Sequence, residues 1–314
     1  MNYHLLFIVL LLSFFAHFFI QQVFSYLKKF DDFNERSSHI ALATRTGGIG
    51  IFITIFFTAL FFYFNDQEIF EYKLLIPLGI IFIIGVYDDF YRADFKLKFL
   101  IQIIVAKLLI DQGFVISNFH GFLGLYEVPW VFAQLVTVFV FIIIVNAINF
   151  IDGIDGLAIT QVIKSIILIE FFSSTQTQLS FLSFLIIVTL IPLYFFNFKK
   201  NQKIFLGDGG SMFLGSFLAI YIFYLLSDQY SFGASLSLNK TFFSVLVLLY
   251  PLVDLLRVFV MRISKGKSPF NADQKHIHHY LIGKLKLSHF KALVVIILVE
   301  SLFLFLTLFT PAIF

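Results

Sequence analysis

The chain has 314 residues, of which 60% are hydrophobic and 13% charged, with a formal net charge of +3 and no cysteine. Soluble domains carry about 45–50% apolar and about 25% charged residues, so the composition excludes an ordinary water-soluble globule. The missing thiols exclude a disulfide framework and a thiolate metal site. Basic residues scattered over several loops, without a groove of stacking aromatics, speak against nucleic acid as a partner.

About 20 apolar residues suffice to cross a bilayer. The apolar runs predict ten spans, near residues 4–24, 47–64, 73–87, 98–113, 130–148, 157–172, 180–197, 209–227, 241–262 and 289–312. The first is a helix and not a signal peptide, because no Lys or Arg precedes it and Lys28 and Lys29 follow it. The segment 113–129, with Gly113, Gly121, Gly124 and Pro129, is an outer loop, and Trp130 sits near the interface. The 47 phenylalanines are lipid-facing bulk. No internal repeat or linker divides the chain, so residues 1–314 form one membrane domain.

The loops sort by charge. Alternate connections hold Lys28, Lys29, Arg36 and Arg45, then Arg92, Lys96 and Lys98, then Lys199, Lys200 and Lys203. The last of them holds Arg262, Lys265, Lys267, Lys275, Lys284, Lys286 and Lys291. The opposite loops hold Lys73 and Lys240 among acids. Short cytoplasmic loops accumulate Lys and Arg, which places the basic side in the cytoplasm and both termini outside. The expected fold is an all-α polytopic membrane protein of about ten transmembrane helices.

Four polar clusters interrupt the apolar background, all on the basic side. The first, Asp88-Asp89, ends the third span ahead of Lys96 and Lys98. Charge inside a bilayer costs about 2.5–3.5 kcal/mol even on lenient scales, and adjacent carboxylates repel unless a cation or proton lies between them. A solvated helix end is the plainer reading.

The second cluster, Asn146-Ala-Ile-Asn149-Phe-Ile-Asp152-Gly-Ile-Asp155-Gly156, brings Asn149, Asp152 and Asp155 back every three residues. A helical turn would put them on one face. Oxygen ligands of this kind suit magnesium, which takes one or two carboxylates together with phosphate oxygens and water. A polar turn with helix caps is the competing reading.

The third cluster, Gly207-Asp208-Gly209-Gly210-Ser211, heads the eighth span. It can seat a phosphate or metal-phosphate group at a helix N-terminus, or serve as an N-cap. It lacks the Gly-Lys-Ser/Thr ending of a P-loop. The fourth runs from Lys265 through Pro269, Asp273 and Lys275 to His276, His278 and His279. Three histidines could bind zinc or a polyanion, and the neighbouring cations favour a pyrophosphate. His4, His17 and His120 are isolated and receive no role. Acids for magnesium, glycines to admit phosphates and a basic clamp are the parts of phosphoryl transfer. A site bordering a bilayer suggests that one substrate is a lipid.

In order and spacing, from about Arg36 to His279, the clusters resemble the polyprenyl-phosphate N-acetylhexosamine-1-phosphate transferase family (glycosyltransferase 4 type). The matching pieces are Asp88-Asp89, the Asn146–Gly156 run, Gly207-Asp208-x-Gly210-Ser211 and Ser268-Pro269-Phe270 with His276-Ile277-His278-His279. The histidine ending is similar to that of the WecA/TagO-type branch, which moves N-acetylglucosamine-1-phosphate from UDP-GlcNAc to undecaprenyl phosphate. The lipid I branch carries three consecutive histidines, which this chain lacks. Residues Asn34 to His39 are similar to a stretch of relatives that start O-antigen or exopolysaccharide chains, some with other N-acetylated sugars.

The resemblance implies an enzyme of a bacterial cytoplasmic membrane, its active site facing the cytoplasm. Magnesium would sit on Asn149 and Asp208, with manganese the alternative. Asp88 and Asp89 would be catalytic, orienting or deprotonating the lipid phosphate as UMP leaves. Asp152 and Asp155 would serve the nucleotide or the surroundings of the metal. His276, His278 and His279 would meet the pyrophosphate or sugar, and Arg45, Lys96 and Lys98 the lipid phosphate. A homodimer stays open.

Three features depart from the family pattern. Leu42-Ala-Thr-Arg45-Thr46-Gly-Gly48 stands where Pro-Thr-Pro-Arg-Gly-Gly-Gly is usual, Gln274 stands where relatives often have Arg, and the tenth span is the last. The competing activities are a lipid I synthase-like or other-sugar transferase and, more remotely, a secondary transporter. Transporters place their acids near the midplane and often show two related halves.

Overall fold

The computed structural model describes residues 3–31, 42–233, 238–267 and 275–309. Apart from one short strand pair, the described architecture is helical: α1 (Tyr3–Tyr26), α2 (Gly47–Tyr63), α3 (Leu75–Tyr91), α4 (Phe95–Asp111), α5 (Trp130–Ile151), α6 (Leu157–Phe172), α7 (Ser180–Asn197), α8 (Gly207–Leu225), α9 (Lys240–Val247), α10 (Leu249–Ile263), α11 (Ile277–Gly283) and α12 (His289–Phe309). Over its described residues, each of the ten expected apolar segments is mainly helical. Among the described residues, six helices (α1, α3 with its leading turn, α5, α7, α8 and α12) are long and apolar enough to cross a membrane, and the bent α9–α10 pair makes up to seven. The chain is an all-α membrane protein. Helix α11 falls where the sequence suggested only a basic loop.

The ninth segment, drawn above without a break, is two helices meeting at 77°. Pro251 supplies no N–H to Val247 one turn earlier, and its ring obstructs a continuous helix. The groups freed at the elbow find other partners, as backbone at membrane depth requires. Ser165 Oγ donates to the Val247 carbonyl at 3.3 Å, and the Tyr250 N–H donates to Glu300 Oε1 at 3.0 Å. Lys164 Nζ, 2.7 Å from the same Glu300 oxygen, and Gln161 at 2.6 Å from the other complete a buried polar knot joining α6, α10 and α12.

Helix α8 is the axis. All its residues are buried except Asp208, because α2, α3, α5 and α6 surround it. Small residues permit the approach, as is usual between membrane helices. A Cβ on Gly85 of α3 would lie 2.5 Å from the Asp208 carbonyl oxygen, and one on Gly215 would lie 2.9 Å from Val145 Cα of α5.

Two short strands, β1 (Ala43–Thr44) and β2 (Lys203–Ile204), pair in parallel with Ala43 opposite Lys203 and Thr44 opposite Ile204. The first N–H groups of α2 continue this pairing: Gly47 N and Gly48 N donate to the carbonyls of Phe205 and Leu206, both at 2.9 Å. The turn before α2 is thereby fastened to the turn before α8, which sets Arg45 over the α8 N-terminus.

Candidate active site

The polar groups gather at the N-terminal end of α8. Strand β2 delivers the chain to Gly207, whose φ of 73° lies in the left-handed region that glycine enters freely. A Cβ there would stand 2.7 Å from Asp89 Oδ2. The turn aims the orphan donors of α8 at that carboxylate, and Asp208 N and Gly209 N donate to its two oxygens at 3.0 Å each. An acid at a helix N-terminus satisfies free N–H groups and complements the dipole.

Arg45 lies 3.7 Å from Asp89 and 2.8 Å from Asp31. Burial opposes its charge, but Asp31, Asp89 and Asp208 outweigh burial and raise it above the ordinary guanidinium value. Enclosed in this way, the Asp89 side chain is 2% exposed, against 15% for Asp88 and 27% for Asp208.

Asp88 turns toward the open side. Its carboxylate accepts from the Ala93 N–H at 2.7 Å and from Lys98 Nζ at 2.7 Å, and Lys98 reaches on to Asp208 at 3.4 Å. The Ala93 bond supports the left-handed Arg92 that ends α3. Lys98 thereby supplies the cation that two neighbouring carboxylates need between them. Lys98 thus joins the cluster, whereas Lys96 stands exposed on the first turn of α4, its backbone N–H held by Asp94.

The second cluster closes over the same point. Asn149 Nδ2 donates to Ser211 Oγ at 2.8 Å, tying the end of α5 to the first turn of α8. At Asp152, desolvation, followed by the nearby Asp89 charge, pushes the carboxyl up to about 7. Asp155 belongs elsewhere. It pairs with Lys203 and lies 2.8 Å from His289 Nδ1. Burial acts to raise this carboxyl, but those two partners outweigh burial and hold it below the ordinary value.

The histidine loop docks on the second cluster. His278 is fully buried and packs against Gly153 so closely that a Cβ on that glycine would collide with the imidazole. Its Nδ1 lies 3.2 Å from the Tyr250 hydroxyl, and burial keeps the ring well below the usual imidazole value. The His276 ring lies nearly parallel to that of His278 at 5.5 Å, and His279 is half-buried beside it at 4.2 Å. Asn34 to His39, and Ser268 to Gln274 with Pro269 and Asp273, lie outside the described residues.

Sequence reasoning missed five partners: Asp31, Lys203, Asp254, Arg257 and His289. Asp254 and Arg257 carried a usable signal, since two charges three residues apart inside an apolar run are rare without a purpose. The others look like ordinary loop charges until the chain folds.

Among the described residues no three acidic or histidine side chains form a ready-made metal cage. The donors present suit a different ion. Magnesium keeps several waters and takes one or two protein ligands beside substrate phosphates. Asp208 offers a carboxylate open to solvent, and Asn149, whose amide nitrogen is spent on Ser211, keeps its Oδ1 for a cation.

Such a membrane-edge group of acids, cations and a helix N-terminus suits the handling of a phosphate-bearing lipid. The glycosyl transferase family 4 profile matches residues 72–226. The undecaprenyl-phosphate alpha-N-acetylglucosaminyl 1-phosphate transferase of Yersinia pestis is 29% identical over 277 residues, 86% of this chain and 73% of its own. A Bacillus subtilis (strain 168) protein named "Probable undecaprenyl-phosphate N-acetylglucosaminyl 1-phosphate transferase" is 32% identical over 87% of this chain and 75% of its own. The Haemophilus influenzae protein with the same name as that of Yersinia is 30% identical over 79% of this chain and 70% of its own. The chain belongs to glycosyl transferase family 4.

Proposed function

We propose that this protein transfers N-acetylglucosamine-1-phosphate from UDP-GlcNAc to undecaprenyl phosphate, releasing UMP and starting a cell-envelope polysaccharide such as an O-antigen. The observation that carries this reading is Asp208. It is the one residue of α8 that is not buried, and it lies against Asp88 and Lys98 at a helix N-terminus. The names of the Yersinia and Haemophilus relatives support the choice of lipid and sugar. The sequence pattern and the donor set support magnesium on Asp208 and Asn149, where the ion would neutralise phosphate charge and hold the pyrophosphate.

The residues divide the remaining work. An oxygen of the lipid phosphate attacks the sugar-bearing phosphorus, and the bond to UMP breaks with its electron pair leaving on UMP. Asp88, half-open and beside Lys98, orients that phosphate or takes its proton, while Lys98 and Arg45 offset its charge. Asp89 works behind them as a holder of the α8 N-terminus and of Arg45. Asp152 borders the nucleotide side, and the His276–His279 segment meets the pyrophosphate or sugar. The distribution of the basic loops supports, under the positive-inside rule, a topology in which the ten segments span, this end of the bundle faces the cytoplasm and both termini lie outside.

The test is transfer of label from UDP-[³²P]GlcNAc to undecaprenyl phosphate by the purified protein, with and without magnesium, beside other UDP-N-acetylsugars. Metal-dependent lipid labelling from the GlcNAc donor is expected. Labelling from a different sugar alone would overturn the donor assignment, and no labelling from any donor would overturn the transferase reading.

A further inference from the structure

The histidine segment is held from behind by two residues that neither the motifs nor the transfer reaction accounts for. Asp254 and Arg257 sit one turn apart on α10, beyond the elbow at Pro251. Asp254 has no exposed surface, yet it makes three contacts. Its Oδ2 lies 2.7 Å from His276 Nδ1, and its Oδ1 accepts from the Ile277 N–H at 2.8 Å and from Arg257 Nη2 at 3.1 Å. Arg257 in turn donates to the Lys275 carbonyl. Three consecutive residues, 275 to 277, are thus gripped through a carbonyl, an imidazole and an N–H. The Ile277 bond also occupies an orphan donor at the start of α11.

A buried carboxylate is costly unless its oxygens are fully engaged, and here the engagement is spent on one imidazole. A carboxylate accepts, so His276 Nδ1 carries the proton and donates. The bond fixes both the tautomer and the ring plane, and it leaves Nε2 as the nitrogen able to meet a ligand. The fixed ring lies nearly parallel to His278, which packs on Gly153 between Asp152 and Asp155. Beside His276 an open groove of about 530 Å³ is lined by Arg257, Lys275, His279 and Lys284.

We propose that Asp254 is a positioning residue: through His276 Nδ1 and the Ile277 N–H it sets the histidine segment in register with the Asn149–Gly156 turn and presents His276 Nε2 to the phosphates of the UDP-sugar. The proposal rests on the transferase reading for its substrate, while the Asp254–His276 contact stands apart from it.

The experiment compares the full-length protein with Asp254→Asn, Asp254→Glu, His276→Gln and the double variant Asp254→Asn/His276→Gln. Each is scored for elution and thermal midpoint in detergent, then for kcat and KM toward UDP-GlcNAc and toward undecaprenyl phosphate. Small displacements of positioning groups cost on the order of 100-fold. Asp254→Asn should therefore lower kcat/KM for the donor by about 10–100-fold, with KM for the lipid changed less than about two-fold. Asparagine keeps an Oδ1 for the Ile277 N–H, so once His276 is gone the substitution at Asp254 has no imidazole left to misplace, and the double variant should be no slower than His276→Gln. Asp254→Glu should recover part of the loss.

¹⁵N-histidine spectra give a readout free of activity. The resonance that disappears in His276→Gln should show a protonated Nδ1 in the wild type and lose that signature in Asp254→Asn. If the two single losses multiply in the double variant, or if donor and lipid parameters fall together, Asp254 only supports folding and the proposal is overturned. A wild-type spectrum with a bare Nδ1 overturns it as well. A wild type that transfers nothing, with the Nδ1 signature present, would sink the substrate assignment and leave the positioning contact standing.

Discussion

Asp88 and Asp89 are neighbours with opposite surroundings, and exchanging each for Asn should separate two kinds of loss. The Asp89 carboxylate receives two backbone N–H groups of α8 at 3.0 Å each. An asparagine in its place has one carbonyl oxygen, so it can keep one of those bonds and must turn its NH₂ toward the other donor. A hydrogen bond to a charged group contributes about 1.5–3 kcal/mol, and a buried donor left without a partner costs about as much as it loses. Asp89→Asn should therefore lose about 1.5–3 kcal/mol of stability and also release Asp208 from its place. Asp88→Asn gives up contacts on the open side, where its side chain is 15% exposed. It should unfold near the wild-type midpoint while losing turnover by at least about 100-fold. The assay is a thermal-unfolding midpoint in detergent beside initial transfer rates. If Asp89→Asn melts with the wild type while Asp88→Asn melts early, the division between holder and reacting acid is wrong.

Four further outcomes follow from the same geometry. The Asp152 carboxyl, raised to about 7 against an ordinary 3.8, binds a proton in the folded state that the unfolded chain releases at lower pH. Its contribution to stability is therefore lost as pH rises from about 4 to 7, and the Asp152→Asn variant should gain on the wild type across that range in parallel melts. Gly85→Ala places a methyl 2.5 Å from the Asp208 carbonyl oxygen and should cost about 1–3 kcal/mol with loss of transfer, whereas Gly79→Ala meets only the Phe52 ring at 3.4 Å and should be tolerated in both assays. Glu300→Ala takes the carboxylate from Lys164, leaving it Gln161 alone, and strands the Tyr250 N–H at the elbow; it should lower stability by about 3–5 kcal/mol, read as a fall in melting midpoint. Chelation of divalent metal should abolish transfer, and added magnesium should restore it without refolding, as followed in one reaction vessel.

The helices were legible because a bilayer demands long apolar runs, and Lys and Arg mark their ends. For the same reason Asp88, Asn149 and Asp208 stood out as polar groups against an apolar background. Their convergence was not legible, since it depends on α8 being enclosed by α2, α3 and α5 through contacts at single glycines. Nor could spacing tell Asp88 from Asp89. That difference arises from which acid the Gly207 turn faces. Asn149, Asp152 and Asp155 share a helical period, yet the chain leaves the helix at Asp152 and sends Asp155 to Lys203 and His289. The elbow at Pro251 was written in the sequence as a proline late in an apolar run, but the partners that make it tolerable, Ser165 and Glu300, come from distant helices.

Enclosure of α8 has a further consequence for how the site meets its surroundings. The helix bearing Asp208 touches almost no lipid, since 94% of its hydrophobic stretch is covered by protein. A change in bilayer thickness is met by the tilt and local adjustment of lipid-facing helices, here above all α1 and α12, whose stretches are 22% and 28% buried. The outer helices are thus the ones placed to take up such a change, with the protein-covered axis that bears Asp208 behind them.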